Sequence, residues 1–188
     1  MTYCAIAFAL VTDALYGVII TSQGPGAPEV YTPPFVGAYL VLAAGLLALS
    51  LFGRIGPAAR TAMRAGATAG LLVLGVVAAF SIGLPLMLAG FLAAGATVMA
   101  VISSHRAASL LGSGAAVLLA VAVLIAGFEA TERLIVCPGT GTMAGGGTGF
   151  VTGSYHYECV NGQLSFHSGS CQGATSIDAS GNVTYSGC

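Results

Sequence analysis

The run AGATAGLLVLGVVAAFSIGLPLMLAGFLAAGATVMAVIS, residues 65–103, contains no charged side chain. As one helix rising about 1.5 Å per residue it would reach roughly 60 Å, twice the ~30 Å hydrocarbon thickness of a bilayer. It must therefore turn back on itself. SIGLP, at 81–85, supplies the break, because Gly and Pro both interrupt helices. Two spans result, at about 65–82 and 86–103.

Outward from this pair the same pattern continues. FVGAYLVLAAGLLALSLF at 35–52 reads as a span before it, and AASLLGSGAAVLLAVAVLIAGF at 107–128 as one after it. YCAIAFALVTDALYGVII at 3–20 is the first of the series, interrupted by Asp13. Each approaches the ~20 apolar residues that cross a bilayer. The segment 21–34 between the first two is rich in Pro and Gly and reads as a loop. The expected architecture is a membrane all-α bundle of about five transmembrane helices over 1–128, followed by a small disulfide-stapled β-hairpin domain over 129–188.

Composition agrees. The chain is 56% hydrophobic and 6% charged, against about 25% charged in soluble globular proteins. Such a chain cannot cover a water-facing surface, so lipid and other protein are its expected surroundings. A formal charge of −1, with five Arg and no Lys, argues against nucleic-acid binding, which needs basic clusters. The Ala/Gly/Arg-rich, Lys-free usage suggests a bacterial genome of high GC content.

Arginine placement gives an orientation. Arg54, Arg60 and Arg64 lie between the second and third spans, and Arg106, beside His105, lies between the fourth and fifth. With five spans both loops share one side, the cytoplasmic one by the positive-inside rule. The N-terminus is then cytoplasmic and 129–188 extracytoplasmic, on a protein of the plasma membrane. The first span lacks a basic leader and a small-residue cleavage site, so it reads as retained rather than as a signal peptide.

The tail changes character. Cys137, Cys159, Cys171 and Cys188 all fall within it, and on an oxidising side four cysteines read as two disulfides. Sequence permits three pairings; Cys171–Cys188 around the last hairpin, leaving Cys137–Cys159, is the expected one. Cys4 reads as a free packing residue. YHYECVNGQLSFH, 155–167, centres on Asn161-Gly162, the strongest two-residue hairpin signal. That turn sets Cys159 opposite Leu164, Tyr157 opposite Phe166 and His156 opposite His167. Alternation places Tyr157, Cys159, Leu164 and Phe166 on one apolar face, and His156, Glu158, Ser165 and His167 on the other. A second hairpin, turning at 179–181, sets Ile177 opposite Val183. The Gly-rich run 138–150 lacks GKS or GKT and reads as a connector, not a phosphate loop.

Three groups are candidate sites. Asp13 is the one formally charged residue inside a span, and a carboxylate there costs roughly 2.5 kcal/mol or more; it could relay protons, bind a cation, or pair with a neighbouring helix. His156, His167 and Glu158 share a face and could hold Zn²⁺ or Cu²⁺, although no cofactor is expected and a polar surface is the simpler reading. Gly66 and Gly70 form a GxxxG spacing, followed by Ala pairs at the same interval, which lets helices approach closely. No cofactor motif or nucleophile–base pair points to an enzyme. The leading expectation is a non-catalytic accessory subunit of a larger membrane complex, partnered by other membrane subunits and lipid. The alternatives are a small oligomeric transporter or channel using Asp13, and an extracytoplasmic metal-binding membrane protein.

Overall fold

The computed structural model describes residues 1–22, 30–79, 82–104, 107–169, 174–177 and 183–186. Five helices come first: α1 (Thr2–Ser22), α2 (Thr32–Leu49), α3 (Pro57–Val77), α4 (Gly83–Ser104) and α5 (Ala107–Glu132). Five strands follow: β1 (Thr142–Gly149), β2 (Gly153–Val160), β3 (Gln163–Ser168), β4 (Ala174–Ile177) and β5 (Val183–Ser186). The chain divides into two compact units, a helical one ending at Gly127 and a second made of the chain from Phe128 onward together with Val30 and Tyr31.

In the helical unit α3 and α4 form the closest pair, α1 packs on α2 and α4, and α2 packs on α3. The run 65–103 is split into two helices: α3 ends at Val77, earlier than the expected 82, and α4 begins within SIGLP at Gly83, with Pro85 in its first turn. Proline is tolerated there because a first-turn N–H has no intrahelical acceptor. Gly83 makes the turn sterically accessible: a Cβ at this position would collide with the carbonyl oxygens of Gly75 and Ala78.

α3 also starts earlier than the apolar run, at Pro57, with Gly56 as its N-cap and proline in the first turn. Arg60 and Arg64, expected in a loop, are therefore helical. Four helices, α1, α2, α4 and α5, are long and apolar enough to cross a membrane. α3 falls short of that mark because its first two turns carry both arginines. Its apolar half is enclosed instead, with Ala65, Ala67, Leu71 and Leu74 buried.

In the second unit β1, β2 and β3 form an antiparallel sheet in that order, and β4 pairs with β5 separately. The β2–β3 register is the one the Asn-Gly turn dictates: Cys159 opposite Leu164, Tyr157 opposite Phe166, His156 opposite His167. Asn161 and Gly162 both have positive φ, 48° and 84°, as a type I′ hairpin requires. Ile177 lies opposite Val183. The loop at 179–181, the Cys171–Cys188 pairing and the His105–Arg106 pair lie outside the described residues.

The Gly-rich connector is a strand. Gly145 and Gly147 of β1 lie opposite Tyr157 and Tyr155 of β2. Each phenol ring lies where a Cβ on the facing glycine would sit. The rings supply the cover that a glycine strand lacks. Tyr155, Tyr157 and Cys159 form the buried core, with Ile135, Cys137 and Met143 packed against them. Cys137 and Cys159 are disulfide-bonded, with Cα atoms 5.4 Å apart. Leu164 and Phe166, expected in this core, are 42% exposed; the side chains packed on this face, Ile135, Cys137 and Met143, lie against the β2 residues Tyr155, Tyr157 and Cys159.

Candidate functional sites

Asp13 stands near the middle of α1. Its carboxylate faces α2 at Gly37, where a Cβ would lie 3.1 Å from Oδ1. It lines a pocket of about 270 Å³ together with Tyr16, Thr21 and Pro33. Among the described residues it has neither a hydrogen-bond partner nor an ion-pair partner. The missing side chain on α2 is what admits the carboxylate between the helices.

On the sheet, β2 and β3 bring His156 and His167 into register, and Glu158 follows two residues along on the same face. The opposite face carries the buried Tyr155, Tyr157 and Cys159. Among the described residues no three His, Cys, Asp or Glu side chains converge closely enough to share a metal ion.

Gly66 and Gly70 both sit at helix contacts. Gly66 lies under the backbone of α5, with a Cβ position 3.2 Å from the carbonyl oxygen of Ala116. Gly70 lies under the ring of Tyr39 from α2. The Tyr39 hydroxyl in turn donates to the Ala120 carbonyl oxygen at 3.0 Å. Thr68 of α3 and Thr97 of α4 approach at 3.3 Å between their hydroxyl oxygens. Cys4 is free and exposed.

Two polar clusters were not visible in the sequence. Glu129, in the last turn of α5, accepts hydrogen bonds from the Val151 N–H at 2.6 Å and the Thr152 hydroxyl at 2.7 Å, which clamps the β1–β2 turn. Gly149 leaves room for it, since a Cβ there would crowd the carboxylate. At the end of α2, Arg60 Nε donates to the Ser50 carbonyl oxygen at 2.8 Å and Arg64 Nε donates to the Ser50 hydroxyl at 3.0 Å. Ser50 is fully buried. Sequence offered the glutamate and the arginines only as charges near span ends; their partners are 10 or more residues away in the chain.

No family model, curated protein or solved structure matches this chain, so its function is argued from its own residues.

Proposed function

We propose that this chain is a non-catalytic, multi-pass subunit of a membrane assembly, with a cytoplasmic N-terminus and its sheet docking a partner on the extracytoplasmic side. The observation that carries this reading is β3. It is an edge strand, every residue of it is exposed, and Leu164 and Phe166 present uncovered apolar surface. Among the described residues β3 pairs with β2 alone, so alternate N–H and C=O groups on its outer edge point away from the sheet. Such an edge is a template for strand addition. Beside it lies a pocket of about 180 Å³ lined by Glu132, Arg133, Tyr155, Phe166 and Ser168, suited to a side chain of an added strand. Phe166 is held for this role by stacking on Tyr155, with ring centroids 5.5 Å apart.

The test is native mass spectrometry after extraction in mild detergent. The wild-type chain should carry a second polypeptide. Leu164→Lys with Phe166→Lys should release it while the Cys137–Cys159 bond still forms. A wild-type chain that extracts alone, or a double variant that keeps its partner, would reject the docking role.

A second reading, transport of protons or cations, draws on Asp13, whose carboxylate has no partner among the described residues and borders a cavity. Under that reading Asp13→Asn abolishes flux in reconstituted vesicles and leaves extraction yield unchanged; under the subunit reading no flux is measured from either form.

A further inference from the structure

The helical unit contains an apolar groove of about 360 Å³, within the ~300–1,000 Å³ range of small-molecule sites. Three stripes at helical spacing line it. α2 contributes the stripe from Tyr39 to Leu46, and α3 the stripe from Ala59 to Ala67. α5 closes it with the stripe from Ala116 to Val123. The one polar side chain, Tyr39, spends its hydroxyl on the Ala120 carbonyl oxygen. Leu42, Leu119 and Val123 are exposed, so the groove opens sideways on the helical unit.

One end of the groove is charged. The next position on the α2 stripe after Leu46 is Ser50, on which Arg60 and Arg64 converge. Arg60 and Arg64 directly follow the groove residues Ala59 and Met63. Their Nε–H groups, with a longer 3.5 Å contact from Arg64 Nη2, are committed to Ser50. Both Arg60 Nη groups and one of Arg64 have no partner among the described residues. Two like charges one helical turn apart repel. The carbonyl end of α2 offsets part of that repulsion, but among the described residues neither guanidinium pairs with a carboxylate.

We propose that this groove holds one acyl chain of an anionic phospholipid drawn from the bilayer, with the lipid phosphate bridging Arg60 and Arg64. The match is of both shape and charge: an apolar slot open toward the hydrocarbon, ending at a pair of guanidiniums whose donor edges remain free. A guanidinium presents planar paired donors to phosphate oxygens, and basic pockets between helices on the cytoplasmic side recognise anionic head groups. Ser50 fixes both arginines in advance, which lowers the ordering cost of binding. The inference rests on the membrane setting of the proposed function but not on the docking role of β3.

The experiment uses the full chain in nanodiscs of phosphatidylcholine with phosphatidylglycerol, followed by native mass spectrometry of the lipid that stays bound. Wild type should retain one phosphatidylglycerol in preference to phosphatidylcholine, by a factor on the order of thirty for two arginines near the surface. Arg60→Gln with Arg64→Gln should remove the preference. Ala59→Trp, at an exposed groove position, should expel the bound lipid while both arginines stay. Equal retention of the two lipids by wild type, a preference that survives the double glutamine variant, or undiminished lipid in Ala59→Trp would each overturn the proposal. In the first of these cases the arginine pair does no more than cap α2. Loss of the co-purifying polypeptide upon changes in β3 is read separately, so the two ideas fail independently.

Discussion

Glycine is used differently in the two units. Among the helices it admits both backbone and rings: Gly66 lies against the Ala116 carbonyl and Gly83 against that of Gly75, while Gly70 lies under the Tyr39 ring. In the sheet it makes room for aromatic rings: Tyr157 covers Gly145 and Tyr155 covers Gly147. In the proposed membrane setting, the difference would follow from what each unit has to bury. Helices in an apolar medium gain little from hiding apolar surface and depend on close van der Waals fit. A sheet in water gains most from large rings withdrawn from solvent. The helical unit should therefore be sensitive to added volume wherever helices cross. The tail should be sensitive to loss of its staple and of the space under its rings.

The largest expected effect is on the tail alone. Cys137→Ser with Cys159→Ser removes the bond between the 135–137 segment and β2, and loss of a native disulfide from a small domain costs about 2–5 kcal/mol. Proteolysis should then begin within 128–169, while the helical circular dichroism signal is unchanged. A joint collapse of helices and tail would break the division between the units. The intact tail should also release four alkylatable cysteines only upon reduction, as judged by mass.

Next come two matched overpacking variants, each expected to cost about 1–3 kcal/mol. Gly70→Leu displaces the Tyr39 ring and with it the hydrogen bond to Ala120; Gly145→Val displaces the Tyr157 ring. Thermal unfolding in detergent, followed by helix signal for the first and by tyrosine fluorescence for the second, should separate them. If Gly70→Leu disturbs the tyrosines of the sheet instead, the independence of the two units is wrong. The smallest effect belongs to Glu129→Gln, which keeps an acceptor but removes the charge that clamps the β1–β2 turn. Amide exchange at Val151 and Thr152 should quicken, with the β2–β3 amides unaffected.

Legibility followed the range of the signal. The β2–β3 register was readable because Asn161-Gly162 sets it locally and alternation carries it along the strands. Helices α1, α2 and α5 were readable because each is a long apolar run, charged only at Asp13 in α1 and at Glu129 and Glu132 in the last turn of α5. The start of α3 was not, because Arg60 and Arg64 interrupt its hydropathy although they pack against Ser50. β1 was hidden because MAGGGTG has no hydrophobic alternation and a single β-branched residue, Thr148; its pairing depends on tyrosines eight and twelve residues away from the glycines they cover, on the far side of a turn. The exposure of Leu164 and Phe166 was misjudged for a related reason. Alternation tells which face a residue is on, but not how far the covering segment extends across the sheet. The groove and its arginines needed three helices brought together, which no local pattern encodes.

The proposed topology puts the sheet outside the cell and the α2–α3 turn inside it, and thiol labelling of intact cells tests this directly. In a Cys4→Ser background, Ser165→Cys on β3 and Gly53→Cys before α3 are exposed to a membrane-impermeant maleimide. Label on Ser165→Cys alone, with Gly53→Cys reacting only after permeabilisation, is the predicted result. Label on Gly53→Cys in intact cells, or none on Ser165→Cys, would contradict it.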